Sequence, residues 1–180
     1  MKLEKIRKEN SEKIESLEMP ESIRTPGRTW TRYPEDLEES ITNSKEVSPE
    51  IETEGNVEIY QGEKALEKAG KKAFDLIKTD ENRLTAIHTA NLDKLIYVEA
   101  SGEAEVHLKY VSKGKISSHV VVDAGDNSDL TVTEETVSRE FNTSFTEIYV
   151  GENASVEYGA VERPGGFSYG RRKAITDKYG

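Results

Sequence analysis

Three copies of one pattern follow residue 93 and leave the chain few folds to choose from. Ile96-Tyr97-Val98 leads to Gly102-Glu103-Ala104-Glu105-Val106-His107-Leu108. Val120-Val121-Val122 leads to Gly125-Asp126-Asn127-Ser128-Asp129-Leu130-Thr131-Val132, and Ile148-Tyr149-Val150 leads to Gly151-Glu152-Asn153-Ala154-Ser155-Val156-Glu157-Tyr158. The glycines lie 23 and then 26 residues apart, and the second and third copies carry one more residue between glycine and the first apolar position. Each copy reads as a short strand, a Gly/Asp/Asn corner and a second strand facing another way. One circuit brings the backbone back about 4.8 Å above its start, where it bonds to the coil below. No coil buries its own Val, Leu and Ile, so neighbouring coils supply the core.

An antiparallel sandwich is the alternative for short strands like these. It would place Asn-Gly or Asp-Gly hairpin turns between strands, and neither dipeptide occurs. The lean composition suits a narrow stack. The apolar fraction is 34%, and adding glycine raises it to roughly 41%, below the usual ~45–50%. Thr131 and Thr133 alternate with Leu130 and Val132, as expected where one face meets solvent. The expected fold class is mainly β, a right-handed parallel β-helix preceded by a small α-helical and loop-rich N-terminal region.

Upstream of the repeat the grammar differs. Leu3, Ile6, Ile14 and Leu17 fall near helical spacing with a gap around Asn10, a marginal amphipathic helix that needs a partner surface. Residues 19–58 hold four of the five prolines and the only tryptophan, so an extended loop anchored by Trp30 and Tyr33 is expected. Residues 62–80 predict a helix with the stripe Leu66, Ala69, Ala73, Leu76 and Ile77, and with Lys64, Lys68, Lys71 and Lys72 toward water. Asp80 reads as the N-cap of a second short helix, with Leu84, Ile87 and Asn91 on one face and Ala86 and Ala90 flanking it. The chain therefore divides into residues 1–93, helical and loop-rich, and residues 94–180, a partial β-helical core.

Charge and composition exclude several functions. A net charge of −10 argues against a nucleic-acid surface. No cysteine is present, so the chain supplies no disulfide, thiolate ligand or cysteine nucleophile. No apolar run approaches the ~18 residues of a spanning helix, and the charged start is no signal peptide. A cytoplasmic protein is expected, with neither nucleic acid nor membrane as a partner.

Few residues suggest chemistry. His88 is expected at a helix–sheet boundary and His107 outward, while the facing of His119 is open; no HxxxH or HxxE spacing joins them as metal ligands. P-loop and GxGxxG motifs are absent, and Ser128, Ser138 and Ser144 lie outside any GxSxG elbow. Glu134-Glu135 and the group Glu35, Asp36, Glu38 and Glu39 read as solvated faces. Pro164-Gly165-Gly166-Phe167 reads as a turn, and Arg171-Arg172-Lys173 is too short a basic run for nucleic acid. No catalytic, cofactor-binding or metal-binding residue is assigned.

Arg28-Thr29-Trp30-Thr31-Arg32-Tyr33 is similar to an early Trp and Tyr element of the SufB/SufD family, the scaffold subunits of the SUF iron–sulfur cluster assembly system. Asp80-Glu81-Asn82-Arg83-Leu84-Thr85-Ala86-Ile87-His88-Thr89-Ala90-Asn91, leading into Leu95-Ile96-Tyr97-Val98, resembles its junction between a short helix and the first core strand. His119-Val120-Val121-Val122-Asp123-Ala124-Gly125-Asp126-Asn127-Ser128-Asp129-Leu130-Thr131-Val132 resembles its core coils, which are β-helical. The likeness runs over about residues 25–175 and is closest over residues 80–162.

The resemblance implies a non-enzymatic scaffold. It would act with a SufC-type ATPase of the ABC class and a second SufB/SufD-type subunit, as a homo- or heterodimer. It also implies that any iron–sulfur cluster belongs to the assembled complex. The family's cluster-associated cysteine and histidine lie in later coils, so no ligand is carried onto this chain. The family's ATPase-docking helices have no counterpart here unless residues 171–179 are a remnant. A last coil ending near Val161 would leave unpaired backbone groups for a second copy, a partner or the tail to cover. The competing reading is a β-helical carbohydrate-active enzyme or carbohydrate-binding module using Glu105 and Asp129 on an acidic coil face, although Ser155 breaks that ladder. A purely structural binding module with no metal link is the third.

Overall fold

The computed structural model describes residues 2–20, 24–25, 28–29 and 47–177. Trp30, Tyr33 and the acidic group Glu35, Asp36, Glu38 and Glu39 lie outside the described residues. Helix α1 (Leu3–Ser11) is followed by a 3₁₀ turn (Ile14–Ser16), and β1 (Arg24–Thr25) pairs antiparallel with β2 (Arg28–Thr29). The long strand β3 (Glu50–Gln61) precedes α2 (Glu63–Ala69) and α3 (Arg83–Ala90). Six strands follow: β4 (Lys94–Ser112), β5 (Ile116–Ala124), β6 (Asp129–Ser138), β7 (Asn142–Val150), β8 (Ser155–Pro164) and β9 (Ser168–Thr176).

The fold is a β-solenoid of about 3 turns. Strand β4 is continuous through the first corner, and its two halves found two faces. Its first half pairs in parallel with β5, which pairs with β7 and then β9. Its second half pairs in parallel with β6, which pairs with β8. Every link between strands of the stack is parallel, which excludes the antiparallel sandwich.

The later glycine spacing matches the coil length, since Asp129 pairs with both Glu103 and Ser155, a period of 26. The first spacing is shorter because only Ser101 and Gly102 separate the half of β4 that pairs with β5 from the half that pairs with β6, and the strand passes that corner without a break. The later corners interrupt the strands, and there Asn127 and Asn153 adopt φ of 58° and 55°, a conformation asparagine tolerates better than most residues. Gly151 lies so close to the coil below that an added Cβ would stand 2.8 Å from the Asp126 backbone nitrogen.

Three expectations need correction. Residues 50–58 are strand, not loop, because β3 runs antiparallel to the whole of β4 from Glu50↔Lys109 to Gln61↔Ile96. The helix expected over 62–80 ends at Ala69, where Gly70 takes φ of 56°; Phe74 and Ile77 still bury themselves, but from an irregular segment. The cap of α3 is Asn82, which forms a capping box with Thr85, whereas Asp80 pairs with Lys13 at 2.7 Å.

Two apolar layers result. Between the faces, Ile96, Val98, Val106, Leu108, Val120, Val122, Leu130 and Val132 interdigitate. Outside the β4–β5–β7 face, Leu3 and Ile6 of α1 and Leu66 of α2 pack on Leu95, Tyr97 and Val121. That contact is the partner surface the marginal helix requires. The residues after Pro164 form a turn and then β9, so the last coil runs past Val161 and residues 171–176 are strand, not helix. At the far end of the described stack, β8 and β9 are the edge strands.

Candidate functional site

Two buried polar clusters lie on opposite sides of the β4–β5–β7–β9 sheet. The outer one begins with α3, whose capping box fixes its start and turns His88 onto the sheet. The His88 ring stacks on Phe145 at 3.7 Å between centroids, and its Nδ1 lies 2.9 Å from Thr143 Oγ1 and 3.1 Å from Ser117 Oγ. Burial, and then the neighbouring His119, holds the His88 imidazole well below the usual histidine range, so it is neutral. His119 Nε2 lies 3.0 Å from Glu147 Oε2, and both side chains are fully buried. The Glu147 carboxylate also accepts the backbone N–H groups of Phe74 at 2.8 Å and Ile77 at 2.7 Å. One carboxylate thus fastens the irregular segment after α2 to strand β7. This includes Phe74, whose φ of 60° is unusual for a bulky residue.

The inner cluster sits inside the solenoid. Near the Gly/Asn corners the interior is apolar, with Ala100, Ala104, Val122, Ala124, Val150 and Ala154. Toward the opposite turns the inward positions become Tyr110, Ser118, Glu134, Ser138, Asn142 and Ser144, all buried. Glu134 Oε1 accepts from Thr146 Oγ1 and from Tyr158 Oη, each at 2.9 Å. Burial raises the Glu134 carboxyl above its ordinary range against the lowering effect of those two hydrogen bonds. Burial first, and then Glu134, pushes the Tyr158 phenol up to about 12. At the rim Arg172 pairs with Glu162 and donates to Ser144 Oγ at 2.8 Å. Burial opposes ionisation of Glu162, but hydrogen bonds from Ser144, Ser168 and Arg172 outweigh it and lower its pKa.

Of the sequence candidates, the structure brings His88 and His119 together, 5.6 Å between ring centroids, and leaves His107 on the other face. There His107 Nδ1 lies 2.7 Å from Thr133 Oγ1. Among the described residues no three His, Cys, Asp or Glu side chains are grouped to hold a metal ion. Glu105 and Asp129 do not share a row: Glu105 aligns with Thr131 and Glu157, while Asp129 aligns with Glu103 and Ser155. Ser128 caps a corner by donating to the Gly125 carbonyl at 2.6 Å.

Glu134, read from sequence as part of a solvated face, belongs to the interior network, and Arg172 sits at its rim. The available signal was the period-two series Leu130, Val132, Glu134, which puts Glu134 on the inward side. Glu147 gave no comparable signal, because its partners come from residues 70 to 73 positions away. A surface groove between the β3 bulge and α2 holds Lys68, Lys72, Glu58 and Asp123. Its charges are partly spent on each other, since Lys72 and Tyr97 both bond to Asp123.

No family model and no solved structure matches this chain. The iron–sulfur cluster assembly protein SufD of Bacillus subtilis (strain 168) is 36% identical over 49% of this chain. The likeness to SufD is distant and partial. The chain spans 23% of the length of that relative. Among the described residues no helix is long and apolar enough to cross a membrane.

Proposed function

We propose that this chain is a scaffold element of iron–sulfur cluster assembly, working in the cytoplasm with an ABC-type ATPase of the SufC kind and a second SufB/SufD-type subunit. The SufD likeness carries this reading. The solenoid agrees with it, since the β-helical core is what a resemblance to SufB/SufD implies. The chain has no enzymatic activity of its own in this account; ATP hydrolysis resides in the partner. A nascent cluster is cargo of the complex, and these 180 residues contain no cysteine to hold it as a thiolate. The edge strands β8 and β9 offer backbone groups to such a subunit.

The carbohydrate reading is weaker. It needs acids gathered on one coil face, and the register splits Glu105 from Asp129. Co-expression of the tagged chain with SufC-type and SufB-type subunits tests the proposal. The expected result is a complex that survives purification and whose loss lowers cluster delivery to an apo-ferredoxin. A chain that purifies alone and leaves cluster delivery unchanged on deletion overturns it.

A further inference from the structure

Among the described residues, five buried side-chain atoms inside the solenoid lack a hydrogen-bond partner: Tyr110 Oη, Ser118 Oγ, Glu134 Oε2, Ser138 Oγ and Asn142 Oδ1. The side chains are 0–3% exposed. All five point inward from β4, β5, β6 and β7 at the end of the cross-section away from the Gly/Asn corners. Tyr110 is in register with Thr136, Ser118 with Ser144, and Ser138 and Asn142 flank the turn between β6 and β7. One stray orphan can be tolerated, but five at one end of a core describe a lining. Buried water typically makes about three hydrogen bonds to just such atoms.

Glu134 adds a second, independent observation. Both of its donors, Thr146 and Tyr158, converge on Oε1 and leave Oε2 bare. The charged and titratable groups facing it are Tyr110 from β4, Tyr158 and Glu162 from β8, and Arg172 from β9. The one cation among them bonds to Glu162 and Ser144 and stands 3.4 Å from Tyr158 Oη, with no bond to Glu134. A carboxylate with no cation of its own, sealed from bulk solvent, is costly. A carboxylic acid at the same place needs only an acceptor for one O–H.

We propose that the polar end of the solenoid interior is a binding site for water and one proton: bound water bridges Tyr110, Ser118, Ser138 and Asn142, and Glu134 Oε2 carries the proton and donates it to that water. The proton comes from bulk solvent through the rim, where the side chains of Arg172 and Glu162 are 30% and 20% exposed. Burial of the carboxyl acts in the same direction, favouring its neutral form. Glu134 is then a neutral hydrogen-bond donor at neutral pH, while Glu162, on strand β8 of the neighbouring coil, keeps the negative charge paired with Arg172.

Infrared spectroscopy of the full chain at pH 7 tests this, comparing the protein as it stands with Glu134→Gln and Glu162→Gln. The expected spectrum has the carbonyl stretch of a protonated carboxylic acid, lost in Glu134→Gln and kept in Glu162→Gln. A spectrum without that band, or a band that survives in Glu134→Gln, overturns the proton assignment. Should Glu134→Gln fail to fold, titration of the unaltered chain to alkaline pH decides, since the band must give way to carboxylate absorption. A crystal structure at high resolution decides the water. Density within hydrogen-bond distance of Tyr110 Oη and Glu134 Oε2 supports the site, and a dry interior there overturns it.

Discussion

His88 rests fully buried against Phe145, and its depressed proton affinity makes stability depend on pH with a definite sign. An unfolded histidine titrates near ~6.5. In the native chain the ring takes a proton only at lower pH, because burial first and His119 second disfavour its charge. Between those two values the unfolded chain binds more protons, so stability is full above pH ~6.5 and declines as pH falls. Urea denaturation from pH 7.5 down to 5 checks this. The unaltered chain loses stability steadily over the lower half of that range, and His88→Gln flattens the slope; an equal slope in both contradicts the assignment. At this scale the sequence placed His88 at the helix–sheet boundary, where it lies, and left His119 open. It misread Glu134, because Glu134-Glu135 contains one inward and one outward carboxylate, and only the strand's pleat tells them apart.

The elements most legible from sequence were those with β-branched alternation and glycine corners, β5 to β8. The corners also offer a sharp test. A Cβ on Gly151 would meet Asp126 Oδ1 at 2.6 Å, the Asp126 nitrogen at 2.8 Å and the Gly125 carbonyl carbon at 2.9 Å. Two of these are backbone atoms of the coil below, which cannot swing aside. Gly151→Ala is therefore expected to cost about 1–3 kcal/mol. Gly159→Ala, whose new methyl would meet only Thr133 Cγ2 at 4.0 Å, stays within about 0.5 kcal/mol of the unaltered protein. Equal urea midpoints for the two variants would remove the close stacking of corners. Strand β3 escaped notice because Glu50, Glu52, Glu54 and Glu58 give it a solvated look, and what makes it a strand is β4, more than 30 residues later. The helix after Gly62 was read too long because its stripe continues to Ile77; Gly70 and the pull of Glu147 on two backbone amides end it early.

The whole molecule is a stack whose core changes character from apolar at the Gly/Asn corners to polar at the opposite turns. The repeat announced the stack, since no single coil can bury its apolar side chains alone. Its period was legible in the 26-residue spacing of Gly125 and Gly151, whereas Gly102 is offset because β4 passes the first corner as one continuous strand. The scaffold role and the interior water site both depend on coils lying parallel and in register. The chain has no cysteine, so paired cysteines can be introduced without background. Glu105, Thr131 and Glu157 occupy one row on successive coils. Neighbours in that row are about 4.8 Å apart, within disulfide reach, while Glu105 and Glu157 are about 10 Å apart and beyond it. Oxidation of Thr131→Cys/Glu157→Cys must give an intramolecular disulfide, and Glu105→Cys/Glu157→Cys must give none. A disulfide in the second pair with none in the first would contradict the stack.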